Sequence, residues 1–483
     1  MVYRIQPFWR PVPTRANCPG RFGGSTRAGG GHWFLIAAFV ATSCHSSPLP
    51  AKKAVADSAS TDSLATDAAA VADALADTAA FEIPPAARFW PAAAQQHGRT
   101  WQSLGSAPLD NQGHSGVLSA AVPVGRRFIA LRATAVPAIA DDPGCLRFSD
   151  VVAGGKVWVG ASETGPDNRT CGNCAQRVQA GRGYTLAVFP NDGEPLADVG
   201  TLTLRVELRH CGTGVAMPTG VLGSKVTAVA VEMASEPLPA PAATGQLAVG
   251  LFLAAGAWPS LDPAAGPEQA ANRAADTAIM TAVKERLAVA IAAAGVDVTI
   301  VGPLALPKAD LPNLAPLHVG GDDPTDANQL HAAVDLAVAA AMGASGSAST
   351  ALPRFVPVVF VPCIDYMNAV TGGQQSMAGL TLRIPGGNRV APQASLVLVA
   401  TDRCGTSNQG PQIGKLPTVV LHEIGHYFGL YHSDEAMGLP LAGTATDVMS
   451  SKVAVVGPWD SGFSSKQRVV LRAHPDVWYP ASP

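Results

Sequence analysis

Residues 418–432 read TVVLHEIGHYFGLYH, and this stretch restricts the chain more than any other. His422 and His426 stand four apart, so on a helix both imidazoles leave the same face one turn apart. That spacing lets two ring nitrogens reach a single Zn2+ at roughly 2.0–2.1 Å. Glu423, beside the first His, is placed to address a water at the metal instead of the metal itself. Val419, Val420, Ile424 and Phe428 can bury the remaining faces. Gly429 can end the helix in a left-handed conformation, after which the chain turns and returns His432 as a third nitrogen ligand. Three protein ligands leave the open position that hydrolysis needs.

The segment His422-Glu423-x-x-His426-x-x-Gly429-x-x-His432 resembles the zinc signature of the metzincin metallopeptidases. That family also carries a tight turn containing Met beneath the metal. Thr446-Asp447-Val448-Met449-Ser450, with Met449 17 residues beyond His432, is the counterpart here. Phe463-Ser464-Ser465-Lys466-Gln467-Arg468 is similar to the start of the family's C-terminal helix, with Ser464 as N-cap. The resemblance covers roughly residues 245–483. It implies one Zn2+ per chain on His422, His426 and His432, with Met449 below it. It also implies a zinc-dependent endopeptidase acting on protein or peptide substrates. In that chemistry zinc lowers the pKa of its water, and Glu423 takes the proton as the water attacks a peptide carbonyl, then passes it to the leaving amine. Ser451 stands where some metzincins have a Tyr, and Ser433, after the third His, does not settle a branch of the family. The rival reading is a surface-anchored binding protein with a catalytically silent zinc site. Intact Glu423 argues against it.

The remaining sequence supplies context for this site. The N-terminal 43 residues hold five Arg and no carboxylate, then the apolar run Trp33–Val40, then Ala41-Thr42-Ser43-Cys44. A basic region, a short apolar core and small residues form an export signal. The Cys placed directly after them resembles a bacterial lipoprotein signal, which implies lipidation at Cys44 and a membrane-anchored protein at the cell envelope. Secretion is the alternative. Loss of residues 1–43 leaves 28 basic against 36 acidic residues and a formal charge of −8. No basic stripe is present, which argues against nucleic acid as a partner. No apolar run reaches the roughly 18–20 residues of a membrane-spanning helix, so no transmembrane helix is expected in the mature chain.

Residues 44–80, rich in Ala, Asp and Ser, cannot bury a core and read as a disordered tether. From 81 to 240 the chain shows short β-forming runs broken by Gly and Pro: 126–136, 155–162, 183–190 and 200–210. In the last run Leu202, Leu204, Val206 and Leu208 fall on one face, and Thr203, Arg205, Glu207 and Arg209 on the other. This predicts a strand of a sheet wet on one side, within a β-sandwich-like domain. Residues 241–483 read differently. Strands are expected at 247–255, 296–302, 355–363 and 394–401, with a helix over about 267–294 carrying Ile279, Val283, Leu287 and Ile291. The expected fold is an α/β (α+β) metzincin-like catalytic domain with a mixed sheet and an active-site helix, preceded by the sandwich.

Six Cys remain beyond Cys44: Cys145, Cys171, Cys174, Cys211, Cys363 and Cys404. An even number in an exported chain predicts disulfides, formed within each domain. Cys363 with Cys404 is the natural pair. The first four allow three connectivities, and a zinc site on those four is the competing reading. Gly320-Gly321-Asp322-Asp323-Pro324-Thr325-Asp326 could offer oxygens to Ca2+, but reads first as a solvated turn.

Overall fold

The computed structural model describes residues 100–480, except 139–141, 161–175, 212–214, 220–222, 255, 259–260, 262–269, 307–316, 320–354, 368–373, 382, 388–395, 403, 405–412, 434–446 and 452–461. The expected export signal, Cys44, the expected tether, Cys171, Cys174 and the acidic Gly320–Asp326 stretch therefore lie outside the described residues.

Among the described residues the first half forms nine strands, four of them (β3, β5, β7 and β8) in the expected runs: β1 (Gln102–Pro108), β2 (Leu118–Val122), β3 (Arg126–Val136), β4 (Gly144–Ala153), β5 (Lys156–Val159), β6 (Gly181–Arg182), β7 (Tyr184–Phe189), β8 (Gly200–His210) and β9 (Ala228–Pro237). They form two antiparallel sheets, in the orders β1-β9-β3-β7 and β2-β8-β4-β5, with β6 paired to β4. Alternation along the strands builds the core between them. Ile129, Leu131 and Ala133 of β3 join Leu202, Leu204, Val206 and Leu208 of β8 and Leu146 and Phe148 of β4 in one buried cluster.

The opposite face of β8 departs from expectation. Thr203 and Arg205 are partly exposed, but Glu207 and Arg209 are buried. Glu207 accepts hydrogen bonds from Arg147 Nε at 2.6 Å and from Arg209 Nη2 at 2.8 Å. The carboxylate, held between two guanidinium groups, can leave water because its charge is compensated and its oxygens are bonded. Alternation identifies which face a residue occupies, but not what covers that face. On this side Cys145, Ala180 and Cys211 form a small buried cluster.

The second half is a mixed α/β assembly, mostly sheet. Its elements are β10 (Gly245–Leu253), α1 (Ala270–Ala292), β11 (Val296–Ala305), β12 (Leu317–Val319), β13 (Val356–Val361), β14 (Ile364–Met367), β15 (Gln374–Met377), β16 (Gly379–Thr381), β17 (Val397–Ala400), α2 (Leu416–Tyr427) and α3 (Ser465–Ala473). The main sheet runs β11-β10-β13-β17-β16, parallel except for β16, which is antiparallel to β17. β12, β14 and β15 form a small separate sheet. Leu247, Val249 and Leu251 of β10 and Val356, Val358 and Phe360 of β13 sit on one sheet face. They are buried with Val283, Leu287 and Ile291 of α1 and Val419, Val420 and Ile424 of α2. The expected helix is therefore present over 270–292, and its four-residue stripe faces the sheet. Among the described residues no helix is long and apolar enough to cross a membrane.

Among the described residues two disulfides are present, Cys145–Cys211 and Cys363–Cys404. The second is the expected pair. The first removes Cys145 and Cys211 from any four-Cys zinc site.

The two halves pack together within one compact unit. Arg127 of β3 donates from Nη1 to the carbonyls of Arg472 (2.8 Å) and His474 (3.0 Å), and from Nη2 to Glu236 Oε2 (2.7 Å). A guanidinium at the C-terminal end of α3 satisfies carbonyls that the helix leaves open and complements its dipole.

Candidate metal centre

α2 begins after a short 3-10 turn, Ile413–Lys415, with Pro417 in its first turn, where a missing N–H costs nothing. All its residues from Val419 to Tyr427 are buried, so the helix is sunk into the core and its position is fixed by packing. It stops at Gly429, which has φ +96°, a conformation open to Gly without a Cβ penalty. Gly429 N–H donates to His426 O at 2.9 Å and Leu430 N–H to Gly425 O at 3.0 Å, the bond pair of a Schellman termination. The reversal carries His432 back beside the helix, as the sequence requires.

His422, His426 and His432 are all buried, and one ring nitrogen from each lies within 4.8 Å of the others. His422 Nδ1 sits 2.6 Å from Val448 O, and His426 Nδ1 sits 2.7 Å from Leu430 O. A carbonyl oxygen can only accept, so each Nδ1 carries the proton and each Nε2 keeps its lone pair. His426 Nε2 and His432 Nε2 are 3.2 Å apart. Neighbouring nitrogens around a tetrahedral ion at 2.0–2.1 Å stand about 3.3 Å apart, so this pair has the separation of two ligands of one cation. Fixed tautomers, burial and a nitrogen-only donor set all suit a metal ion.

Glu423 is 4% exposed. The Thr381 hydroxyl on β16 lies 2.9 Å from Glu423 Oε2 and 2.7 Å from the carbonyl oxygen of Glu423, so its proton serves one or the other. Burial pushes the Glu423 carboxyl up to about 8, and the Thr381 hydroxyl acts against that rise. A cation on the neighbouring imidazoles would draw it down. β16 approaches this carboxylate closely at Gly379, where a Cβ would lie 2.8 Å from Glu423 Oε1. Thr381 carries no sequence signal that could have singled it out, since it ends a three-residue strand.

The turn at 447–450 lies against the helix. A Cβ on Gly425 would come within 2.3 Å of Met449 Sδ, so the thioether rests where only a glycine leaves room. Asp447 organises this turn. Its Oδ1 accepts from Ser433 Oγ at 2.5 Å and from Met449 N–H at 2.8 Å, and its Oδ2 accepts from Gln467 Nε2 at 3.3 Å. Gln467 in turn belongs to α3, whose start is a capping box. Ser464 Oγ accepts from Gln467 N–H at 3.3 Å, and Gln467 Oε1 accepts from Ser464 N–H at 2.9 Å. Ser451 is exposed.

Behind α2, Tyr427 OH donates to Asp476 Oδ2 at 2.8 Å, and His474 packs on the Tyr427 and Phe428 rings. His474 lacks ligand spacing in the sequence, and its buried place here is one of packing. The arrangement can therefore hold a cation on three nitrogens beside a carboxylate. No protein-family model matches this chain, and no curated protein matches it.

Proposed function

We propose that the chain is an exported zinc-dependent endopeptidase of the metzincin type. The observation that carries this reading is the trio of buried histidines, two with Nδ1 bonded to carbonyls, set beside Glu423 on one helix. A donor set of three imidazole nitrogens favours zinc over the hard, oxygen-seeking cations. The close seat of Met449 under Gly425 also supports a metzincin arrangement. Disulfides in both halves support an oxidising compartment, hence export.

His422, His426 and His432 would hold the ion. When bound, zinc supplies Lewis acidity and makes water acidic near neutral pH. Glu423 then acts as general base, taking the proton from the attacking water and delivering it to the departing amine. When its proton turns to Oε2, Thr381 holds one carboxylate oxygen and so limits how Glu423 can swing between those two duties. Val448 and Leu430 keep His422 and His426 in the tautomer that presents Nε2.

Metal content and cleavage of an unfolded protein substrate, measured on the full chain beside Glu423→Ala, test the reading. One zinc per chain and chelator-sensitive cleavage, with zinc kept and cleavage lost in the variant, are expected. Zinc without cleavage in the parent would move the assignment to a binding protein with a silent site. Absence of zinc from the folded parent would remove the metal centre.

A further inference from the structure

The β-rich first half contributes to the loop that carries His432, and it does so with buried polar side chains. The Arg177 guanidinium lies 3.8 Å from the centroid of the Tyr431 ring, and Tyr431 immediately precedes His432. Tyr431 OH reaches Ile384 O at 3.4 Å, and Ile384 N–H donates to Gln179 Oε1 at 2.7 Å. Loop 383–387 also touches the end of α2. Gly386 N–H donates to Tyr427 O at 2.7 Å, and a Cβ on Gly429 would lie 3.4 Å from Pro385.

The segment from which these groups project is itself fixed. Arg177 and Gln179 are 4% and 6% exposed, unusual for two long polar side chains. Arg177 N–H donates to Asn191 Oδ1 at 2.8 Å, and Asn191 Nδ2 returns a bond to Arg177 O at 2.7 Å. Thr185 Oγ1 donates to Gln179 O at 2.8 Å. Two buried side chains, those of Asn191 and Thr185, thus lock the backbone of a short irregular stretch. Immobilising it costs conformational entropy, and what it aims at is the loop beside the metal centre.

We infer that Arg177 and Gln179 are positioning residues of the metal centre, holding His432 in place through Tyr431 and Ile384. The inference rests on the metal-site reading above. His422 and His426 are aimed by a buried helix, whereas His432 stands on irregular backbone whose aim depends on its neighbours. Ser433 is tied to Asp447 on one side of it, and Tyr431 is covered by Arg177 on the other. The β-rich half is then a working part of the site.

The test uses the full chain loaded with zinc. Release of the metal to a chelator and peptide-level hydrogen exchange across 428–433 are followed in the parent, Arg177→Met and Gln179→Leu. Arg205→Met, on the partly exposed face of β8, serves as control. The expected result is release about tenfold faster in the first two variants, the lower end for lost outer partners of a metal ligand. Faster exchange across 428–433 should accompany it, with far-UV circular dichroism unchanged and the control like the parent. Parent-like release and exchange in both variants would overturn the inference. If Arg177→Met does not fold, Tyr431→Leu removes the same contact from the other side and must give the same two changes. A parent that takes up no zinc would overturn the metal reading, while the exchange comparison would still decide whether Arg177 and Gln179 hold the loop.

Discussion

Ser433 Oγ donates to Asp447 Oδ1 at 2.5 Å, tying the residue after His432 to the turn that carries Met449. The same carboxylate holds Met449 N–H and reaches Gln467 at the start of α3. One buried acid thus joins three separate stretches around the candidate metal centre, and its removal has a definite cost.

Asp447→Ala should destabilise the protein by about 2–4 kcal/mol, because it strips a charged acceptor from three buried donors. Zinc affinity should fall by about 10–100-fold, as for other partners that orient a site from outside its ligands. Thermal unfolding and competition with a chelator measure the two effects separately. Unchanged affinity in a folded variant would leave Asp447 with a purely structural role.

His432→Ala should weaken zinc binding by more than the about 10–100-fold expected for outer partners, since a direct ligand is lost. Metal analysis after dialysis reads this directly. Parent-like occupancy would take His432 out of the ligand set.

Cys363 and Cys404 close a loop with a sequence separation of 41. Loop-closure entropy alone puts the contribution of that bridge at about 4 kcal/mol. Replacing both by Ser should lower stability by an amount of that order in denaturant titration. A shift below about 1 kcal/mol would mean that the loop is restrained by other contacts.

Leu287 is fully buried between α1 and the main sheet. Leu287→Ala should cost about 2–5 kcal/mol through lost transfer energy and the cavity left behind. Because the same core packs α2, zinc release should also quicken. A stability loss with zinc kinetics untouched would show that α2 holds its position without α1.

The parts of the protein that were legible in the sequence are those whose determinants are local. The four-residue stripe on α1 and the buried runs of β10, β13 and β17 declare themselves by periodicity and length. Gly429 and Ser464 mark helix ends because only certain residues satisfy the open backbone groups there. The three histidines lie within eleven residues of one another, so their meeting needs only a helix and a turn.

What stayed hidden depends on distant chain. Glu207 and Arg209 alternate like residues facing water, and the guanidinium of Arg147 from a neighbouring strand is what lets them be buried. Asp447 is one acid in a short turn, a pattern shared by countless loops. Arg177 and Gln179 meet residues more than 200 positions later, and no local pattern encodes such a meeting.

That last separation bears on how the protein is made. Gln179 and Ile384 are 205 residues apart in sequence, and the groups that hold the loop lie on the earlier side. During synthesis the β-rich half leaves the ribosome first and can fold while the remainder is still being added. The histidine-bearing segment, which emerges later, then docks onto a surface already built. A slow or misfolded first half would therefore surface as a chain with all three histidines present and nowhere to seat them.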